Sequence, residues 1–183
     1  TPKTDFGGVP RTQAAGFTIG NKAYVGTGMD NQTYKQDFWE YDPGANTWTQ
    51  KANFAGTARI MAAGASIGTK GYIGTGFDNA YKGDLWEYDP TLNLWTQRAT
   101  LALERRDAAA FVAGGKIYLV GGFLNSALGQ VQVYDPVTNT WALNLFPNWA
   151  ARSEAFAFTI NGKGYVGTGL GSSYLLQDFW EFD

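Results

Sequence analysis

The sequence of 183 residues contains no cysteine and no histidine. These two absences exclude disulfide frameworks, zinc sites built from thiolates or imidazoles, thiol nucleophiles and every catalytic arrangement that needs a histidine base. Charged residues are also scarce, at 16% of the chain against roughly 25% in an average globular domain. Any chemistry must therefore come from carboxylates, arginine, lysine or tyrosine.

The chain also lacks an excess of charge of either sign and lacks long apolar runs. Lysine and arginine number 14 and acidic residues 16, for a net charge of −2, which argues against non-specific binding to nucleic acid. Apolar stretches such as 108–113 are much shorter than the roughly 20 residues of a membrane-spanning helix, so no membrane insertion is expected. No segment has the layout of a signal peptide, but a mature secreted protein would lack one too.

Glycine and aromatic residues, in contrast, are abundant. The 24 glycines are dispersed along the chain, and aromatic residues make up 16% of it. Dispersed glycine together with many aromatic residues predicts tight turns between aromatic-rich strands.

Internal repetition is the strongest signal in the sequence. The segment Tyr-Val-Gly-Thr-Gly and its variants occupy 24–28, 72–76, 118–122 and 165–169. A second segment, typified by Phe-Trp-Glu-Tyr-Asp, occupies 38–42, 85–89, 131–135 and 179–183. Both recur every 46 to 48 residues. An arginine holds the same register upstream in each unit, 11 residues before a lysine. Four copies of one structural unit follow from this shared period.

Each unit contains four short strand candidates, typified in the first copy by 14–19, 22–28, 37–41 and 47–50. We label these strand positions a to d. Pairs such as Gly20-Asn21 and Asn161-Gly162 separate positions a and b, and they tolerate the positive φ of a two-residue hairpin. Segment 101–113 has helical propensity, but its place in the repeat assigns it to a linker and strand a, because tertiary context overrides propensity.

These features resemble the kelch repeat family. The resemblance rests on the small doublets Thr27-Gly28 and Gly121-Gly122, on Tyr-Asp-Pro at the end of strand c, and on the spaced Trp48, Trp95 and Trp141. It implies an all-β fold, a β-propeller of four-stranded antiparallel blades, with four blades in this chain. The expected repeats are 11–58, 59–104, 105–151 and 152–183, with 1–10 completing the last blade.

Kelch propellers generally have six or seven blades, whereas this chain supplies four. Three arrangements are therefore open: a fragment of a longer propeller, a half-ring that pairs with a second copy to give eight blades, and a closed four-bladed ring. An open arc exposes blade faces and strand edges. The expected partner is accordingly a second copy of the chain or further blades.

One face of such a propeller collects the b–c loops, the d–a linkers and the start of strand a, because antiparallel strands alternate in direction. Candidate ligand-binding residues on this face are four arginines, three loop tyrosines and one linker tryptophan: Arg11, Arg59, Arg105, Arg152, Tyr34, Tyr81, Tyr174 and Trp149. Arginine beside aromatic rings suits a carboxylate, a sugar or an acidic peptide. In kelch domains that bind acidic peptides, arginines at this position line the pocket, which is what the resemblance implies here.

A structural role is the alternative for these arginines. Each could pair with the aspartate that opens strand c, which is Asp37, Asp84 or Asp178 in three repeats and is replaced by Gln130 in the third. Arg105 is then the arginine with the best chance of meeting a ligand. Trp149 departs from the repeat, since the linker between blades one and two has Gly56 at the matching position.

Three functions remain under consideration. The first is a non-catalytic module, secreted or at a cell surface, that binds a protein or glycan. The second is an enzyme: the copper chemistry of galactose oxidase-like propellers is excluded by the missing histidine and cysteine, but sialic acid mutarotases are a looser resemblance, with Glu104 or Glu154 as acid–base candidates. The third is purely architectural self-assembly. No metal site and no cofactor are expected.

Overall fold

The computed structural model of the chain describes residues 1–144 and 149–183, and within them it is an all-β protein without helices. Among the described residues, no helix is long and apolar enough to cross a membrane. The linker expected over 142–151 includes 145–148, which lie outside the described residues.

Four antiparallel sheets form four blades, and each follows the order of its strands along the chain. The first blade contains β1 (Ala15–Ile19), β2 (Lys22–Gly26), β3 (Phe38–Asp42) and β4 (Thr47–Lys51). The second contains β5 (Ala63–Ile67), β6 (Lys70–Gly74), β7 (Leu85–Asp89) and β8 (Leu94–Arg98). The third contains β9 (Ala109–Ala113), β10 (Lys116–Val120), β13 (Val131–Asp135) and β14 (Thr140–Asn144), with a small hairpin of β11 (Phe123–Leu124) and β12 (Ser126–Ala127) in its b–c loop. The fourth contains β15 (Phe156–Ile160), β16 (Lys163–Gly167) and β17 (Phe179–Phe182).

Local sequence explains where the strands turn. Gly20 has φ of 59°, and Asn161 and Gly162 have φ of 52° and 80°, so the predicted a–b hairpins use residues that accept the left-handed region. After β3, the Asp42 carboxylate accepts the backbone N–H groups of Gly44 (2.8 Å) and Ala45 (3.1 Å) and closes the turn before β4.

Large side chains of one blade pack against small residues of the next. A Cβ atom on Gly71 would lie 2.0 Å from the ring of Phe17, and one on Gly164 would lie 2.0 Å from the ring of Phe111. Around these contacts, the rings of Tyr24, Phe38 and Tyr88 form one continuous buried cluster between the first two blades. Packing of aromatic side chains therefore holds the blades together, and the glycines provide the space for these rings.

Backbone hydrogen bonds add a second fastening between blades. The N–H of Gly28 donates to the carbonyl of Arg59 (2.8 Å), and the same bond joins Gly76 to Arg105 and Gly122 to Arg152. The inner strands follow one another around a common axis, with β1 against β5, β5 against β9 and β9 against β15. Among the described strands, no contact joins β15 to β1.

The first ten residues lie against the first blade rather than beside β17. The backbone N–H of Thr4 donates to Oδ1 of Asn46 (3.1 Å), and the ring of Phe6 lies 4.9 Å from that of Trp48. The sheet of the fourth blade consequently has three strands within the described chain. The prediction of a propeller with four blades in the chain is confirmed, as is the assignment of 101–113 to a linker and strand.

Candidate functional site

The repeated arginines lie at the base of the face that carries the b–c loops, and three of them pair with the aspartate that opens strand c. The Arg59 guanidinium donates from Nη2 to Oδ2 of Asp84 (2.7 Å) and from Nη1 to the carbonyl of Thr75 (2.9 Å). Arg11 with Asp37 and Arg152 with Asp178 repeat the two-pronged geometry at 2.6 to 2.8 Å.

In these pairs the arginine side chain is buried, the aspartate is half-buried, and both are held on several sides. Burial opposes ionisation of Asp84, but the hydrogen bonds and positive charge of Arg59 outweigh it, so the pKa of Asp84 is lowered. Trp86 contributes by donating its indole N–H to the same carboxylate (2.8 Å). The guanidinium groups of Arg59 and Arg152 are fully buried, so these arginines fasten strands a, b and c together.

An aromatic ring lies against the guanidinium in three blades. Arg11 is 4.9 Å from the centre of the Phe6 ring, Arg59 is 5.0 Å from Phe54, and Arg152 is 3.9 Å from Trp149. Trp149 therefore takes the place of Phe54 despite the different linker length. It is buried, with the ring of Trp180 at 5.5 Å, and ligand binding by Trp149 stays a prediction.

Arg105 differs from the other three arginines because Gln130 replaces the aspartate. Its guanidinium donates to the carbonyls of Gly121 (2.8 Å) and Leu103 (3.2 Å) and reaches Oε1 of Gln130 at 3.4 Å. The side chain is fully buried, and this burial without a counter-charge lowers the pKa of Arg105 to about 10.

The three predicted tyrosines lie on separate b–c loops. Tyr34 is half-buried and pairs with Met29 through a β-bridge, while Tyr174 is 63% exposed. Among the described residues, ring contacts join Tyr81, but neither Tyr34 nor Tyr174, to other aromatic side chains. The structure thus brings only one predicted tyrosine into an aromatic cluster.

Apart from Tyr81, this cluster consists of residues that were not among the predicted binding residues. The Tyr81 ring lies 5.5 Å from Phe77 and 6.4 Å from Phe123, and the guanidinium of Arg106 lies 4.7 Å from the centre of the Phe123 ring. Arg106 also donates from Nη1 to Asp107 at 2.6 Å. We call these five side chains the Arg106 cluster. All five are half-buried, so they remain partly accessible.

A depression at the propeller axis lies next to this cluster. One residue per blade, two positions after the repeated arginine, lines it: Gln13, Met61, Asp107 and Glu154. All four adopt φ between 55° and 57°, and a backbone hydrogen bond links each to the next, from Met61 N–H to Gln13, Asp107 N–H to Met61 and Glu154 N–H to Asp107. We call these four positions the axial residues.

The axial depression contains two carboxylates in unlike surroundings. Burial raises the pKa of Asp107, with Arg106 opposing the shift and the negative charge of Glu154 adding to it. Glu154, one of the two predicted acid–base candidates, is exposed in the same depression. Glu104, the other candidate, does not line it.

Sequence reasoning missed Arg106 because it followed residues that repeat. The positions equivalent to Arg106 hold Thr12, Ile60 and Ser153, so this arginine has no counterpart in the other blades. The sequence does contain a signal for Arg106: an arginine departs from the repeat at a position that lies on the face of the b–c loops. A backbone pair with Phe123, at 2.8 and 3.1 Å, fixes that placement.

The architecture defines a four-bladed β-propeller whose blades carry repeated arginine, tyrosine–aspartate and tryptophan positions. The family model described as the Kelch motif matches residues 10–55 and 104–143. The chain is therefore a four-bladed β-propeller that matches the Kelch motif in two regions. No curated protein matches it.

Among solved structures, the chain is similar to the one titled "Structure of YjhT". The two share 14% sequence identity at a TM-score of 0.74, over 99% of this chain and 84% of the other. At this identity the likeness concerns the fold alone. Among the described residues, no group of three acidic, histidine or cysteine side chains could hold a metal ion.

Proposed function

We propose that this propeller is a non-catalytic binding module that recognises a protein or glycan ligand through the face formed by the b–c loops and d–a linkers. The observation that supports it is the Arg106 cluster, in which a partly accessible guanidinium lies against the Phe123 ring, and Tyr81 and Phe77 extend the aromatic surface from there. The ligand chemistry that fits is a carboxylate next to an apolar ring or sugar face.

The guanidinium of Arg106 is held in place, but not all of its N–H donors have an acceptor. Phe123 on one side and Asp107 on the other fix its orientation. A guanidinium has five N–H donors, and within the described residues only the Nη1 group of Arg106 makes side-chain hydrogen bonds. The Nε and Nη2 donors are left for a carboxylate, which binds a guanidinium best through two parallel bonds.

An array of acidic glycans and acidic peptides, followed by calorimetry on the strongest binder, tests the proposal. Arg106→Met should weaken that binding at least about tenfold, since a charge-assisted hydrogen bond contributes roughly 1.5–3 kcal/mol. Lys116→Met, at the first residue of β10 and at the other end of the blade, is the matched control and should bind like the parent chain. Absence of binding to the array, or equal loss in both variants, contradicts the proposal.

A second candidate, acid–base catalysis of sugar ring opening, is favoured by one observation. Asp107, whose pKa is raised by burial, and Glu154 line the same depression, so two carboxyl groups face one site. Anomer exchange of sialic acid, followed by magnetisation-exchange NMR, should accelerate with the protein and lose most of that acceleration in Glu154→Gln. Lys116→Met serves again as the control. An exchange rate that the protein does not change removes this candidate.

A further inference from the structure

The buried arginine of the third blade uses fewer of its donors than its counterpart in the second blade. A guanidinium has five N–H donors. Arg59 makes five hydrogen bonds, two of them to Thr57, one to the carbonyl of Thr75 and two to the carboxylate of Asp84. Arg105 makes three. Among the described residues, one N–H on Nη1 and one on Nη2 of Arg105 therefore have no acceptor.

The contact between Arg105 and Gln130 is also longer than the ion pair that it replaces. Nη2 of Arg105 lies 3.4 Å from Oε1 of Gln130, whereas Nη2 of Arg59 lies 2.7 Å from Oδ2 of Asp84. Arg105 is fully buried, and a buried charge without a counter-charge costs free energy. A negative group beside Arg105 would be stabilised by this charge and by the two remaining donors.

A third donor faces the same place in the blades that have the aspartate. The indole N–H of Trp39 donates to Oδ2 of Asp37 at 2.7 Å, and that of Trp180 donates to Oδ2 of Asp178 at 2.6 Å. The equivalent of these tryptophans in the third blade is Gln132, which is 8% exposed. Its amide also carries N–H donors. We call the place that the aspartate carboxylate takes in the other blades the carboxylate position. The third blade keeps donors around it but supplies no negative group.

The carboxylate position can be reached from solvent by a small ion. The aspartate side chains that lie there in the other blades are 22%, 19% and 34% exposed, and Gln130 is half-buried. Arg105 itself is 0% exposed, so a sugar ring or a peptide cannot contact its guanidinium. A ligand there must be about as small as the single carboxylate group that the other blades accommodate.

We propose that the third blade binds a small monovalent anion at the carboxylate position, either chloride or a carboxylate of formate size. The two remaining N–H groups of Arg105 and the amide of Gln132 donate to it, as the arginine and tryptophan donors do to the aspartate elsewhere. Gln130 turns its half-buried side chain aside to admit the anion. The anion supplies the counter-charge that the other three arginines obtain from an aspartate of their own blade.

This anion site is separate from the Arg106 cluster, although the two arginines are adjacent in sequence. Arg106 donates to the carboxylate of Asp107, and its guanidinium lies against the ring of Phe123. Arg105 donates instead to the carbonyls of Leu103 and Gly121. The anion site therefore does not depend on the protein or glycan ligand proposed for the face of the b–c loops.

Chlorine NMR tests the anion site directly, because chloride that exchanges with a protein site gives a broadened resonance. The parent chain should broaden the line in proportion to protein concentration. Formate should narrow the line by displacing chloride, and sulfate at the same ionic strength should narrow it less, because a divalent tetrahedral anion does not fit the place of one carboxylate. Absence of broadening, or equal narrowing by the two anions, overturns the proposal.

A variant that supplies the counter-charge from the chain itself tests where the anion binds. Gln130→Asp keeps every donor of Arg105 but adds a carboxylate, so the dissociation constant for chloride should rise at least about tenfold, the effect of losing one charge-assisted hydrogen bond. Gln130→Asn shortens the side chain without adding charge and should keep the broadening. Circular dichroism melts establish that both variants fold.

A control for net charge completes the test. Val137→Asp adds the same charge to the same blade, at a residue that is 91% exposed in the turn after β13, and should keep the broadening of the parent chain. If folded Gln130→Asp binds chloride as the parent does, or if Val137→Asp loses as much broadening as Gln130→Asp, the anion does not bind at Arg105 and the proposal is wrong.

Discussion

The second and third blades both bury the repeated arginine, but its partner is charged in the second blade and neutral in the third. In the second, buried Arg59 faces the carboxylate of Asp84, while in the third, buried Arg105 faces the neutral amide of Gln130. Both arginines are fully buried, and both donate to the carbonyl that precedes the second glycine of the doublet, Thr75 or Gly121. The difference teaches that the hydrogen-bonding geometry of the arginine, rather than the ion pair, is common to all blades.

The comparison also separates two energetic contributions. Breaking a buried ion pair by removing one partner costs about 3–5 kcal/mol, because it leaves a buried charge uncompensated. Among the described residues Arg105 has no ion-pair partner, and neutral acceptors, two backbone carbonyls and the amide oxygen of Gln130, compensate its charge. The third blade is therefore the natural reference against which the ion pairs of the other blades can be measured.

Asp84→Ala should have the largest effect. The substitution leaves the buried charge of Arg59 without its ion-pair partner and removes the acceptor of the Trp86 indole N–H. The free energy of unfolding should therefore fall by about 3–5 kcal/mol. Gln130→Ala removes a long contact to Arg105 and should cost no more than about 1 kcal/mol. Urea unfolding of both variants measures the difference, and equal losses would show that the ion pair contributes nothing beyond the amide.

Arg105→Met should have an intermediate effect that contrasts with Arg59→Met. The first removes a buried charge that has neutral acceptors only and leaves those acceptors without a donor, so the free energy of unfolding should change by less than about 2 kcal/mol. The second leaves the half-buried Asp84 carboxylate without its ion-pair partner and should cost about 3 kcal/mol. Urea unfolding provides the values, and a larger loss for Arg105→Met would reverse the interpretation.

Gln130→Asp should give the third blade the pair that the others have. The new carboxylate is in reach of Arg105, so the free energy of unfolding at neutral pH should rise by about 1 kcal/mol, the gain of a charged hydrogen bond less the cost of burial. Gln130→Asn is the matched control without the charge. A Gln130→Asp variant less stable than this control would contradict the expectation.

The smallest expected effect is on the pH dependence of stability in acid. Because the pKa of Asp84 is lowered in the folded protein, its contribution to stability is complete above the unfolded pKa of about 4 and is lost as the pH falls through the folded value. The parent chain should therefore lose stability below about pH 4, and Asp84→Asn should lose less over the same range. Urea midpoints measured across this range test the sign, which would be wrong if Asp84→Asn were the more acid-sensitive protein.

The repeat made most of the fold predictable from sequence. Strand a was expected at 14–19 and is found as Ala15–Ile19, and strand d was expected at 47–50 and is found as Thr47–Lys51. Helical propensity over 101–113 was correctly set aside, because β9 occupies the position that register assigns. Comparison of the four copies corrects errors of secondary-structure prediction that a single segment would leave unnoticed.

The candidate site was less predictable for the same reason. The repeat identified the arginines that recur, but recurrence reflects a structural need that every blade shares. The structure places three of these arginines in ion pairs with half-buried aspartates. Arg106 and the axial residues vary from blade to blade, so a search for repetition does not select them, and of the axial residues only Glu154 was named as a candidate. Trp149 was misleading in another way, because the linker length hid its equivalence to Phe54.

The axial residues are joined through their backbone atoms, and this has an evolutionary consequence. The hydrogen bonds that connect Gln13, Met61, Asp107 and Glu154 involve no side chain, and four chemically different residues already accept the same left-handed conformation there. Substitutions at these positions can alter the chemistry of the axial depression without removing the backbone hydrogen bonds that join the blades there. Duplicated blades can therefore diverge at one position per copy while these bonds persist.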